Sequence, residues 1–431
     1  MKTYLYDLYA AFLKHKKIVT DSREIVPGCI FFALKGEKFN GNAFAGEALD
    51  NGAALAVIDE QKYFSGSRCF VVNNVLQTLQ ELALHHRSQL KIPILGITGT
   101  NGKTTTKELI SAILSRKFKT CSTKGNLNNH IGVPISILQI KADDEIAVIE
   151  MGANHQGEIA ALCTIAQPNF GIITNIGKAH LEGFGSHEGV ITAKNELYEY
   201  IRKNNGHVFV NSSDDLLMNL TANIERTTFG AKDFADKAGV LSGSFPYISV
   251  KTSFGKVSQT INSKLVGTYN FENILAAACI GDYFGVKPAW IKSAIEGYSP
   301  ANNRSQVIET EKNKLILDAY NANPTSMEAA IRSFADYPVK NKVIIAGDML
   351  ELGSASLLEH LRILEIINSL GFNEVLLVGK FFARANQNPG FHAFLTISRA
   401  LHFLKGNPLN GKTILIKGSR GIMLEKLLPR L

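Results

Sequence analysis

The chain has few cysteines, a single tryptophan and no long apolar run, and these shortages narrow what it can be. Its five cysteines (Cys29, Cys69, Cys121, Cys163 and Cys279) are odd in number, widely scattered and without paired metal-ligand spacing. Neither a disulfide framework nor a zinc site is therefore supported, and the cysteines read as small buried hydrophobes. No apolar stretch approaches the roughly 20 residues of a membrane-spanning helix. The opening stretch, Met1 to Arg23, is broken by Asp7, Lys14, His15, Lys16 and Lys17 and offers no small-residue cleavage site. No secretory leader is expected, and a cytoplasmic location is. Internal repeats, low-complexity tracts and dense Lys/Arg runs are absent as well. The net charge of +8, from 46 basic and 38 acidic residues, fits an anionic small molecule at least as well as nucleic acid, which calls for a basic stripe interleaved with aromatics.

What is present is an ordinary globular composition, 45% hydrophobic and 19% charged over 431 residues, which excludes disordered, collagen-like and coiled-coil chains. At about 150 residues per domain the length suggests three domains. Short apolar runs alternate with helix-length segments. The strand candidates are Ala54–Asp59, Cys69–Asn73, Ile92–Thr98, Ile146–Met151, Gly171–Asn175, Lys314–Asp318, Lys342–Gly347, Glu374–Gly379 and Thr413–Lys417. Many lack polar alternation, as strands covered on both faces do, so an α/β chain of βαβ units and mostly parallel sheets is expected. Boundaries near Leu90–Pro93 and in the turn-rich Tyr298–Asn303 divide it into 1–91, 92–301 and 302–431. Phe229 to Gln259, rich in Gly, Ser and Lys, reads as loops and short solvated strands.

The strongest motif runs from Gly96 to Thr106, with Gly99, Thr100, Asn101, Gly102, Lys103, Thr104 and Thr105 at its centre. It follows a candidate strand and precedes a helix with Leu109, Ile110, Ile113 and Leu114 on one face. That context makes a phosphate loop credible, although Ile97 stands at the usual first glycine. Glycines let backbone N–H groups close around phosphate oxygens at a helix N-terminus. Lys103 would bridge the β- and γ-phosphates and the Thr104 hydroxyl would sit on Mg²⁺. The alternative is a plain glycine turn between strand and helix.

Three residues downstream carry possible chemistry. Glu150 ends a strand, where a carboxylate can reach Mg²⁺. His180 follows another strand end, and Lys194 falls on a helical stretch. Each has an ordinary alternative: a solvated loop carboxylate, a hydrogen-bonded histidine, a charged helix face.

Taken together, these runs resemble the Mur ligase family, ATP-dependent amide-forming enzymes of peptidoglycan precursor synthesis. The resemblance spans nearly the whole chain. It rests on Asp21-Ser22-Arg23 and Gly36–Gly41, then Gly99–Thr104, Asn126–Pro134 and Glu150–His155, and finally Asp318–Pro324, Gly347–Gly353 and Lys417–Gly421. It implies three α/β domains: an N-terminal one for a UDP-linked substrate, a central phosphate-loop ATPase domain and a C-terminal Rossmann-like domain that binds a dipeptide and closes on ATP. The Glu150–His155 and Asn321–Pro324 runs point within the family to joining D-alanyl-D-alanine to UDP-N-acetylmuramoyl-tripeptide. The Asp-Asn-Pro-Arg run of the ligase that adds diaminopimelate is missing. A folylpolyglutamate synthase-like enzyme and a regulatory phosphate-loop ATPase are the rival readings.

The resemblance also assigns roles. Thr104, Glu150, His180 and Lys194 match the metal-site positions, Lys194 as an N-carboxylated lysine. Asn270 and Asn273 match adenine-side contacts, beside Tyr269 where the family often has His. Arg304 and Asp318 match positions reaching the γ-phosphate and the ribose side, with Asn303-Arg304 in place of the usual Gly-Arg. Lys103, Lys194, His180 and Arg304 are the expected catalytic set. Substrate contacts are expected at Ser22 and Arg23 in the first domain, at Asn128 and Asn129 in the second, and at Tyr320, Asn321 and Asn323 in the third. For the asparagines, loop closure or helix capping is the alternative. A monomer using ATP and Mg²⁺ is expected.

Overall fold

A computed structural model describes residues 3–231, 234–301 and 303–431; Asn302, within the expected Tyr298–Asn303 break, lies outside the described residues. Three large sheets of successive chain segments organise it, beside a two-stranded ribbon of Lys35–Gly36 and Phe39–Asn40. The first is all parallel, in the order β1-β2-β3-β4: β1 (Ile18–Val19), β2 (Ile30–Phe32), β3 (Leu55–Ile58) and β4 (Cys69–Val71). Helix α1 (Val75–Gln89) follows it.

The central sheet has nine strands. They are β5 (Ile94–Thr98), β6 (Thr120–Ser122), β7 (Ile146–Glu150), β8 (Phe170–Ile173), β9 (His207–Asn211), β10 (Glu225–Gly230), β11 (Lys237–Gly243), β12 (Ser249–Phe254) and β13 (Val257–Asn262). Their order is β13-β12-β11-β10-β9-β8-β5-β7-β6. The six strands from β5 to β10 pair in parallel, and β5, β7 and β9 are buried throughout and β8 at all but its first residue, as strands sandwiched by helices must be. Chain order reverses around β5, so the carboxyl ends of β5, β7 and β8 frame the crevice where open α/β sheets bind ligands. Helices α2 (Lys103–Leu114), α3 (Gly132–Leu138), α4 (Glu158–Ala166), α5 (His187–Lys203) and α6 (Asn270–Tyr283) cover this sheet.

Phe229 to Gln259, expected as loops and short solvated strands, does contain strands, but they are longer and one face of them is buried. β11, β12 and β13 form an antiparallel extension of the central sheet, in which Val250, Thr252 and Phe254 of β12 alternate inward with exposed Lys251 and Ser253. The period of two was present, but Gly, Ser and Lys on the wet face obscured it.

The last sheet runs β14-β15-β19-β16-β17-β18: β14 (Gln306–Glu309), β15 (Lys314–Asp318), β16 (Lys342–Gly347), β17 (Val375–Val378), β18 (His392–Phe394) and β19 (Thr413–Lys417). All pairs but β14–β15 are parallel. Helix α7 (Pro324–Ala335) starts at Asn323, whose side chain accepts from the Ser326 N–H in a capping box, with Pro324 pre-set for the first turn. Among the described residues no helix is long and apolar enough to cross a membrane.

Candidate functional site

The phosphate loop turns sharply out of β5, and two of its glycines are obligatory. Gly99 has φ +144°, and a Cβ there would lie 2.0 Å from Thr174 Oγ1; at Gly102, φ +79°, a Cβ would meet Asn273 Oδ1 at 2.6 Å. The segment after β8 holds the loop open. Asn175 Oδ1 accepts from the Asn101 N–H (3.0 Å), the Asn175 carbonyl from the Thr100 N–H (2.9 Å), and the Thr174 hydroxyl donates to the Asn101 carbonyl (2.6 Å). Lys103 Nζ donates to the carbonyls of Gly99 (2.6 Å) and Thr100 (3.1 Å). Burial, and Arg304 after it, lower its pKa against the pull of Glu150.

Glu150, at the end of β7, is 2% exposed. Its carboxylate accepts from the Thr104 hydroxyl (3.0 Å) and from Asn128 Nδ2 (2.8 Å). Equally buried Lys107 stands 3.7 Å away. Sequence reasoning missed Lys107: on a helix after a phosphate loop, a lysine reads as solvated surface, and only tertiary packing puts it behind the carboxylate. Among the described residues no three His, Cys, Asp or Glu side chains converge on one metal position. A carboxylate beside a hydroxyl is nonetheless a pair of hard oxygen donors that suits Mg²⁺, which takes its other ligands from phosphate and water.

Lys194 on α5 is buried, its Nζ 5.2 Å from the centre of the Phe184 ring. Burial, and then the charge of Lys103, push its pKa down to about 7. It is thus a lysine with a sizeable neutral fraction near neutrality, unlike a solvated one. His180 adopts left-handed backbone, φ 50°, and its Nδ1 lies 2.5 Å from Glu351 Oε2 of the C-terminal domain. Contact with His180 holds the Glu351 carboxyl below the usual range.

On the other wall, buried Asn270 and Asn273 tie α6 to the phosphate-loop helix. Asn273 Nδ2 donates to Asn270 Oδ1 (2.8 Å) and Asn273 Oδ1 accepts from the Thr106 hydroxyl (3.0 Å). The Tyr269 hydroxyl pairs with Ser305 Oγ at 2.8 Å. Asp318 ends β15 in register with Lys417 of β19; the two form an ion pair at 2.5 Å, and Asp318 also accepts from the Ser305 N–H. The Arg304 guanidinium lies 3.7 Å from the centre of the Tyr320 ring, within cation–π range.

One cavity of about 920 Å³ gathers most of these groups. Thr100–Thr105, Asn128, Asn129, Glu150, His180, Asn270, Asn273, Arg304, Asp318, Tyr320, Asn321 and Asn323 all line it. Gln80 of α1, Glu158, Glu351 and Lys417, which sequence reasoning did not select, line it too. Glu351 lies within Gly347–Gly353 and Lys417 opens Lys417–Gly421, but nothing local in either run singles them out as lining residues. Ser22, Arg23 and Lys194 are not among its lining residues; Ser22 and Arg23 lie on the turn after β1, where Arg23 pairs with Asp21. The capping alternative is realised at Asn129, whose side-chain oxygen accepts from the N–H groups of Ile131 and Gly132. Asn323 both caps α7 and donates to Asn101 Oδ1 (2.8 Å).

Residues 15–96, 97–281 and 303–420 match the family profiles described as Mur ligase family, catalytic domain; Mur ligase middle domain; and Mur ligase, glutamate ligase domain. The chain is 32% identical over 432 residues to the UDP-N-acetylmuramoyl-tripeptide–D-alanyl-D-alanine ligase of Bacillus subtilis, covering 96% of this chain and 92% of the relative. A MurF crystal structure from Acinetobacter baumannii superposes with TM-score 0.87 at 32% identity, covering 96% and 93% of the two chains. A MurF ligase from Thermotoga maritima in complex with ADP superposes with TM-score 0.85 at 27% identity, covering 100% and 98%.

Proposed function

Because the chain belongs to the Mur ligase family, we propose that it joins D-alanyl-D-alanine to UDP-N-acetylmuramoyl-tripeptide at the expense of ATP, a step of peptidoglycan precursor synthesis. The observation that carries this reading is the single cavity lined by the phosphate loop, Arg304 and Asp318 from the third domain, and Gln80 from the first. A triphosphate and two reactants need such convergence.

A carboxylate resists an amine until one of its oxygens becomes a leaving group. In our reading the terminal carboxylate of the tripeptide attacks the γ-phosphorus of ATP, the bond to the β–γ bridging oxygen breaks, and ADP departs. The dipeptide amine then attacks the acyl phosphate carbon, expelling inorganic phosphate and losing a proton. Positioning and charge neutralisation do most of this work. Lys103 exchanges its two loop carbonyls for phosphate oxygens, and Arg304 supplies the second positive charge. Asp318 faces the ribose and the Asn270–Asn273 pair the base. Thr104, Glu150 and His180, with Lys194 as its carbamate, are the residues that would hold Mg²⁺. That ion would neutralise charge on the transferring phosphoryl group. The lowered pKa of Lys194 supports carbamate formation, since only a neutral amine attacks CO₂.

We assign residues 1–91 to the UDP substrate, with Ser22 and Arg23 at the carboxyl end of a parallel sheet, 92–301 to ATP and 302–431 to the dipeptide. Asn128, Asn129, Tyr320, Asn321 and Asn323 line the path between the reactants. We read the chain as a cytoplasmic monomer. With ¹⁸O in the tripeptide carboxylate, label is expected in the inorganic phosphate; unlabelled phosphate overturns the reading. Lys194→Ala is expected to lose activity and regain part of it with a short added carboxylate. Full activity in the unsupplemented variant would remove the carbamate.

A further inference from the structure

Two loops meet across the junction between the central and C-terminal domains, and neither residue at their point of contact is relaxed. His180 (φ 50°) and Glu351 (φ 64°) both adopt left-handed backbone without being glycine. Non-glycine residues hold that conformation only where the surroundings dictate it, and such residues gather at functional sites. Here each turn aims one side chain at the other. His180 Nδ1 lies 2.5 Å from Glu351 Oε2, at ion-pair distance, and the nitrogen is buried with no aligned hydrogen bond in the structure. The Glu351 carbonyl accepts from the Glu182 N–H at 3.4 Å, a second tie between the loops. Both side chains line the cavity that holds Lys103, Thr104 and Glu150.

We propose that Glu351 is a positioning residue for His180: by accepting the Nδ1–H from across the junction, it leaves Nε2 as the nitrogen offered to a divalent cation, so that the histidine becomes a competent ligand only while the C-terminal domain is seated. A histidine whose second ring nitrogen is bound to a carboxylate has a fixed tautomer, a fixed ring plane and raised basicity toward a metal. Contributing that carboxylate from the opposite domain makes the assembly of the cation site conditional on domain closure. The proposal rests on the ligase reading for the existence of the cation site, yet it concerns a contact that reading does not need.

The test uses the full chain, a non-hydrolysable ATP analogue and Mn²⁺ counted by electron paramagnetic resonance. Glu351→Ala is expected to weaken Mn²⁺ binding to the protein–analogue complex about tenfold. Glu351→Gln, whose amide oxygen still accepts from Nδ1–H, should stay within about threefold of the parent. His180→Ala should lose about as much as Glu351→Ala, and the double variant no more than either alone. Unchanged Mn²⁺ affinity in Glu351→Ala, equal losses in the Ala and Gln variants, additive losses in the double variant, or a parent complex with no measurable Mn²⁺ site would each overturn the proposal. The readout needs neither tripeptide nor dipeptide. A parent that binds Mn²⁺ as expected but fails the labelled-phosphate experiment would therefore sink the ligase reading and leave this contact standing.

Discussion

The two junctions between the three domains are built from opposite materials. Where the N-terminal and central domains meet, Leu8, Phe12, Leu79 and Leu82 belong to one continuous apolar core with Val133, Ile137, Leu162 and Ile165. The buried Arg87 side chain rims it, donating to the carbonyls of Ala166 (2.9 Å) and Gln167 (3.1 Å). Where the central and C-terminal domains meet, side-chain contacts are largely polar: Asn101 with Asn323, Lys178 with Glu359, His180 with Glu351, Tyr269 with Ser305. Among the described residues, the larger C-terminal core cluster takes only Val266 and Tyr269 from before Asn303. Parting an apolar core re-exposes its whole area to water, whereas hydrogen bonds can be exchanged for water at roughly 1 kcal/mol each. The first junction is suited to permanence and the second to opening, and the cavity lies along the second.

This contrast is easiest to break with one arginine from each side. Arg304→Ala is expected to lower kcat by about 10²–10³ and leave thermal stability nearly unchanged. A large fall in melting temperature would make Arg304 a brace rather than a charge for the reaction. Arg87→Met should do the reverse. It leaves the carbonyls of Ala166, Leu90 and Gln167 without their charged donor, at a cost of about 3 kcal/mol, read as a lower urea midpoint, with KM for ATP unaltered. If the N-terminal and central domains then melted in separate transitions, the continuous core would not be holding them together.

Which parts of this were legible in the sequence follows from how local each feature is. The phosphate loop could be read because Gly99, Gly102, Lys103 and Thr104 are contiguous and their geometry is a property of the turn itself. Glu150 could be placed because a strand end is visible in an apolar run. Lys107, Lys417 and Glu351 could not, since each acquires its meaning from a partner far away in the chain: Glu150, Asp318 and His180. β2 (Ile30–Phe32) was not among the strand candidates, nor was β9, which His207 opens with a polar side chain that tertiary packing buries. Tyr269 reaches Ser305, a contact no local pattern encodes.

A smaller effect sharpens the same comparison through acid. His86, 7% exposed, sits in the apolar junction with Nε2 donating to the Ile140 carbonyl (2.9 Å) and Nδ1 paired with Tyr9 Oη (3.1 Å). Burial lowers its pKa, so below the unfolded value of about 6.5 the unfolded chain binds more protons than the folded one. The stability contributed by keeping this ring neutral is complete above that value and is lost as pH falls through the depressed folded value. The urea midpoint of the parent should therefore drop further between pH 7.5 and pH 5.5 than that of His86→Gln. Parallel drops would show that the junction's acid response lies elsewhere.

The weakest perturbation is the most direct probe of the polar junction. Lys178 Nζ and Glu359 Oε1 are 2.9 Å apart, but the lysine side chain is 46% exposed. Such a pair is worth about 0–1 kcal/mol, less at high salt, so Lys178→Ala should move the melting temperature by no more than a degree or two. The Lys178 N–H to Thr325 Oγ1 contact, 3.1 Å, survives the substitution because it is made by backbone. What should change is the balance between open and closed chains: small-angle scattering of the variant is expected to show a slightly larger radius of gyration at low salt, converging on the parent as salt is raised. An equal radius at every salt concentration would mean that this ion pair does not bias closure, and that the seating of the C-terminal domain depends on the contacts nearer the phosphate loop, Asn101 with Asn323 and His180 with Glu351.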